Sequence, residues 1–167
     1  MKKIIFPLSL IFIFQSFSNL YAQNEMRLLY QKAATEEASC KKLLHLLRPF
    51  NENNNALLAG YKASGTMMMA KYVFSPLRKL SFFSKGKKLM EKAIEKDKEN
   101  IELRFLRFMV QTNAPSFLGY RSAIQEDKLF LIQSIPTPGD KNLEQFILSF
   151  LGDSDQLTTV EKQRLKP

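Results

Sequence analysis

From Asn24 to Arg164 apolar residues return at every third or fourth position, and nowhere do they alternate with period two over a stretch long enough for a strand. The clearest case is Leu143, Phe146, Ile147, Phe150 and Leu151, whose i, i+3, i+4, i+7, i+8 spacing lays one apolar stripe along an α-helix. The pattern predicts an all-α fold: a compact antiparallel helical-hairpin array of about six to seven helices forming one domain over residues 23–167.

Local signals divide the array. Asn24 is placed to cap a first helix that runs to about Arg48, with Met26, Leu29, Ala33, Cys40, Leu44 and Leu47 near one stripe. Pro49 and the polar run Asn51 to Asn55 end it and cap a second helix from Ala56 to Phe74. Ser75-Pro76 starts a third, since a capping hydroxyl precedes a proline whose missing N–H costs nothing there; this helix reaches about Asp97. A fourth, Asn100 to Thr112, has only Glu102, Arg104, Arg107 and Gln111 polar over most of its length and should be the most buried. A fifth covers Ser122 to Ile135. The sixth carries the stripe described above, with Gly152 placed to end it, and Thr158 with Glu161 forms a capping-box pattern for a last short helix.

The residues ahead of the array follow another logic. Lys2 and Lys3 precede an apolar run from Ile4 to Phe17, and Leu20-Tyr21-Ala22 precedes Gln23, the order of a secretory signal peptide spanning residues 1–22 and cleaved near Ala22. At about 14 residues the run is shorter than the ~20 a spanning helix needs. The expectation is an exported protein, periplasmic or secreted, soluble after cleavage and with no transmembrane segment in the mature chain. Cys40 is the only cysteine, too far from Ala22 to carry a lipid and without a partner for an internal disulfide. The formal charge of +9 would suggest nucleic acid in a cytoplasmic protein. In an exported one it points to an anionic envelope polymer, lipid head groups or an acidic envelope protein, and no nucleic acid is expected.

No catalytic constellation emerges. His45 is the only histidine, and Cys40 lies five places before it, about 140° around a helix, so the two would not face one metal ion. Two S-x-x-K spacings, at Ser39 and Ser84, lack the companion motifs of serine acyltransferases. Carboxylate pairs such as Glu36-Glu37 and Glu126-Asp127 sit in solvated helical patterns. The reading is a non-enzyme with no metal and no cofactor.

Two basic groups remain as candidate binding residues. Arg78, Lys79, Lys85, Lys87 and Lys88 surround Phe82 and Phe83 and form either a solvated face or an anion-binding one. Arg104 and Arg107 stand on an otherwise apolar helix, where a guanidinium serves an internal ion pair or a bound carboxylate or phosphate. Tyr120, in the aromatic loop after Pro115, joins them. The second helix offers another possibility. Its small residues from Ala56 to Gly65 followed by Met67, Met68 and Met69 suit tight helix packing, or an apolar groove lined by flexible thioethers with Phe82 and Phe83.

The segment Gly86 to Asn100 resembles the second helix and exit turn of a tetratricopeptide repeat, through Gly86, Ala93, Ile94, Asp97 and Asn100, with Lys98 where that turn carries proline. The stretch Gly86 to Tyr120 is also similar to uncharacterised secreted helical proteins of bacteria. The repeat resemblance implies a helix-hairpin stack that presents a surface to another protein. The functional expectation is therefore an exported, non-catalytic helical domain that binds a protein or an anionic envelope component. The alternative is a small helical bundle that holds an apolar or lipid-like ligand.

Overall fold

The structure, a computed structural model, describes residues 23–135 and 139–165; the signal-peptide expectation at residues 1–22 lies outside the described residues. Among the described residues the chain is all-α, with no strand. Its helices are α1 (residues 23–33), α2 (Glu37–Leu46), α3 (Ala56–Met68), α4 (Pro76–Lys96), α5 (Ile101–Asn113), α6 (Ile124–Ser134), α7 (Lys141–Asp153) and α8 (Thr159–Arg164). Short 3-10 turns follow α3 at Met69–Tyr72 and α5 at Ser116–Leu118.

The long first helix expected over Asn24 to Arg48 is two helices. The Thr35 and Glu36 amides both close on the Lys32 carbonyl, at 3.1 and 2.9 Å, and Glu36 is extended at φ −125°, ψ 118°. Breaking there lets both segments bury against α3. Tyr30 of α1 sets its ring edge-on to Tyr61 at 5.3 Å, while Cys40 of α2 donates from Sγ to the Gly65 carbonyl at 3.4 Å. Packing on α3 outweighs continuity of one helix. Asn24, expected as the cap, already lies inside the helix, and its Oδ1 accepts from Arg27 Nη1 at 2.9 Å.

Helix α3 is the axis of the molecule. Asn55 caps it by accepting from the Leu58 amide at 2.9 Å, and Ala59, Gly60, Tyr61, Ala63, Ser64, Gly65 and Met67 are all buried. Its small residues do what their spacing suggests. Leu103 of α5 rests over Gly60, and Leu43 and Leu44 of α2 over Gly65. From the facing helix Gly86 of α4 comes so close that a Cβ there would stand 2.6 Å from the Ala63 carbonyl oxygen. α3 and α4 thus form a tight antiparallel hairpin, latched at its far end by Lys92 to Glu52 at 2.9 Å. α3 gives way to a 3-10 turn after Met68, and Val73 is extended ahead of Ser75-Pro76, where helical backbone before a proline is disfavoured.

On α4 Gly86, Met90, Ala93 and Ile94 are buried, and Ser75 caps the start as its motif requires. Asn100 then caps α5, accepting from the Leu103 amide at 3.0 Å. α5 is the most buried helix: every residue from Glu102 to Met109 is enclosed. Phe105 and Phe108 meet Phe146 and Phe150 of α7 edge to face, with Phe105–Phe146 centroids 5.0 Å apart. Each such ring removed from water contributes about 1.5–3 kcal/mol. α6 returns antiparallel along α5. α7 runs through the exposed Gly152 to Asp153 rather than stopping at the glycine, and the Thr158–Glu161 capping box opens α8.

Candidate functional site

Three of the sequence-derived candidates are committed inside the fold. Arg104 and Arg107, one helical turn apart on α5, converge on Asp127 of α6, which is fully buried. Arg107 grips it with two parallel hydrogen bonds at 2.7 and 2.8 Å and reaches Glu91 of α4 at 2.9 Å with its third nitrogen. Arg104 lies 2.7 Å from Asp127 through Nε, close in charge but not aligned as a hydrogen bond, and 2.7 Å from Glu126, with its plane 4.7 Å from the Phe130 ring centroid. The Tyr120 hydroxyl donates to Glu91, and Lys87 sits over the Tyr120 ring at 5.0 Å. Burial pushes the Tyr120 hydroxyl and the Asp127 carboxyl above their ordinary ranges, and the hydrogen bond to Glu91 adds to the first while Arg107 opposes the second. This cluster ties α4, α5 and α6 together and leaves no arginine facing solvent for an anion.

A second buried network had no sequence signal. Arg27 of α1 donates to Glu102 of α5 through two 2.7 Å bonds and to Asp140, the N-cap of α7, at 2.8 and 3.2 Å. Tyr61 of α3 donates to the same Glu102. Burial works against the Arg27 charge, yet the bonds to Glu102 and Asp140 outweigh it, and its affinity for the proton rises. Four helices meet at this knot. Glu102 was visible only as one polar position on an apolar helix.

The remaining candidates, Arg78, Lys79, Lys85 and Lys88, are exposed on α4, and among the described residues none is ion-paired. Lys79 borders an open groove of about 740 Å³ between α1, the end of α3, the first half of α4, the end of α5 and α7. Its walls are apolar: Tyr30, Met67, Met68, Phe83, Met109, Val110, Phe146 and Phe150. Met67, Met68 and Phe83 are there as the groove reading anticipated, whereas Met69 and Phe82 are not among the lining residues. The groove opens where α3 gives way to its 3-10 segment, and the small Ala34, Ala70 and Ala114 are among the residues that line it.

The groove is polarised. Lys71 and Lys79 stand on its border, with the Lys71 ammonium 3.5 Å from the Ala34 carbonyl. Where Asn113, Phe146 and Phe150 continue it into a shallow hollow of about 440 Å³, Asp153 and Asp155 line the wall instead. Inside, Ser64 is fully buried and its hydroxyl forms no hydrogen bond of ordinary geometry. The Tyr30 hydroxyl beside it is pushed well above its usual range by burial.

Cys40 contributes no reactive thiolate, because burial pushes its thiol up to about 11. Among the described residues no cluster of His, Cys, Asp or Glu could hold a metal ion, and no helix is long and apolar enough to cross a membrane. No family model, no curated protein and no solved structure matches the chain.

Proposed function

We propose that this chain is an exported, non-catalytic binder of a single-chain anionic amphiphile, whose tail lies in the groove and whose head meets Lys71 and Lys79. The observation that carries the reading is the groove itself: about 740 Å³, within the ~300–1,000 Å³ typical of small-molecule sites, walled by methionine and aromatic side chains and bordered by two ammonium groups, Lys71 and Lys79, that form no ion pair among the described residues. Thioethers suit a flexible chain, because three rotatable bonds let methionine follow its shape. Ser64 offers one polar contact along the way. The opposite sign of Asp153 and Asp155 at the far hollow favours one direction of entry.

The reading joins two expectations from the sequence, an anionic envelope component and an apolar ligand. A second reading, docking of an acidic protein on the exposed face of α4, whose second half carries the segment that resembles half a tetratricopeptide repeat, draws support from Arg78, Lys85 and Lys88 but leaves the groove without a use. The two separate in a displacement assay. A fluorescent fatty-acid probe bound to the purified protein should be displaced by a long-chain carboxylate and far less by the same chain bearing a trimethylammonium head. Charge reversal in K71E/K79E should weaken the carboxylate about tenfold, equivalent to ~1.4 kcal/mol. Failure of the wild-type protein to take up the probe, or equal displacement by both heads, would remove the proposal.

A further inference from the structure

The mouth of the groove carries large apolar side chains that the fold leaves in water. Phe74 is fully exposed, Leu77 is 78 % exposed, Leu80 is half-exposed, and on the opposite lip Phe117 is 82 % exposed. Leu80 and Phe117 line the groove, and Leu77 lies one turn before Leu80 on α4, so these residues edge one opening rather than scatter over the surface. Around them stand Lys71, Arg78, Lys79 and Lys85, all exposed. Between Asn53 and Met90 the chain has no Asp or Glu at all, and neither does Asn113 to Arg121, the segment that makes the other lip.

The geometry points to this lip as a membrane-docking edge: Phe74, Leu77 and Phe117 enter the head-group layer of an anionic bilayer while the surrounding cations meet lipid phosphates, holding the groove mouth against the lipid. Apolar tips set among cations are the composition of an interfacial segment, and anionic lipid adds attraction for each Lys or Arg near the surface. A second copy of this chain fits less well. Two lips carrying only positive charge would repel across the interface. The inference rests on the groove reading for its purpose, since a mouth pressed to lipid would let an amphiphile pass between bilayer and groove without crossing water. Its test is separate.

The chain contains no tryptophan, so L77W installs a single reporter on the lip, and V160W places one at an exposed apolar position of α8. With phosphatidylglycerol vesicles L77W emission should shift to the blue and be quenched by brominated acyl chains, with phosphatidylcholine vesicles much less, and V160W should stay unquenched in both. Because the reporter reads its own depth, the apolar run at residues 4–17 cannot produce the signal where it is retained. In flotation the F74S/L77S variant should lose about tenfold in affinity for anionic vesicles relative to the otherwise identical chain, while still binding the soluble fatty-acid probe. The groove-filling V110F should show the reverse. Unquenched L77W, or equal flotation of F74S/L77S and the wild type, overturns the docking edge whether or not the groove binds its probe. A lip-dependent dimer in sedimentation without vesicle binding would assign these residues to a second copy and equally overturn it.

Discussion

The two sides of α5 handle charge in opposite ways. Toward α4 and α6, Arg104 and Arg107 are sunk among Asp127, Glu126 and Glu91, with every charge answered. Toward the groove, Met109 and Val110 face an open apolar space whose neighbouring cations, Lys71 and Lys79, form no ion pair among the described residues. The difference separates cations that hold helices together from cations free to meet something else. Charge in the sequence was the same signal in both places; only the presence of a carboxylate on the facing helix divides them.

The largest break comes at the closed side. D127A leaves two buried guanidinium groups facing each other without their shared carboxylate and should cost about 3–5 kcal/mol, read as a lower midpoint in urea unfolding. G86A strikes the hairpin that frames the groove. Its new methyl would stand 2.6 Å from the Ala63 carbonyl, so α3 and α4 must part, at about 1–3 kcal/mol, and the groove should change shape with them.

Acid probes the Arg27 knot. Arg27 and the Leu143 amide outweigh burial and hold the Asp140 carboxyl below its ordinary value, so its contribution is complete above the usual carboxylate range and is lost as the pH falls through the depressed value. Glu161, lowered to about 2 by the Thr158 amide and Lys128, acts in the same direction. Asp127, raised by burial, acts in the opposite one. Amide-exchange protection, taken relative to the intrinsic rate at each pH, should therefore fall in α7 and α8 in acid before it falls in α3. The smallest effect on stability belongs to V110F, which adds a ring to open space. It should change the unfolding midpoint by less than ~0.5 kcal/mol while abolishing probe uptake, a separation the closed side of α5 could not show.

Most of the architecture was legible because local signals agreed with packing. Asn55, Ser75, Asn100 and Thr158 all cap the helices their positions announce, and the α5 and α7 stripes are buried as spaced. The break at Thr35 was not legible, since Ala33 and Cys40 keep helical phase across it and only the need to cover two sides of α3 interrupts the chain. At the site, the methionines and Phe83 were visible as a possible groove, but the far wall was not. Phe146 and Phe150 read as ordinary core residues of their own helix, and nothing local tells that α7 brings them opposite Met67. The pairing of Arg104 and Arg107 was open between two uses until Asp127 lay beside them.

The central claim is that the groove takes an anionic amphiphile tail-first from its cationic end. Titration of the purified protein with a fluorescent fatty acid, followed by native mass spectrometry of the complex, measures it directly. One bound fatty acid per chain, lost in V110F and weakened about tenfold in K71E/K79E, is the predicted result. Binding that survives the filling of the groove, or no uptake by the wild-type chain, would contradict it.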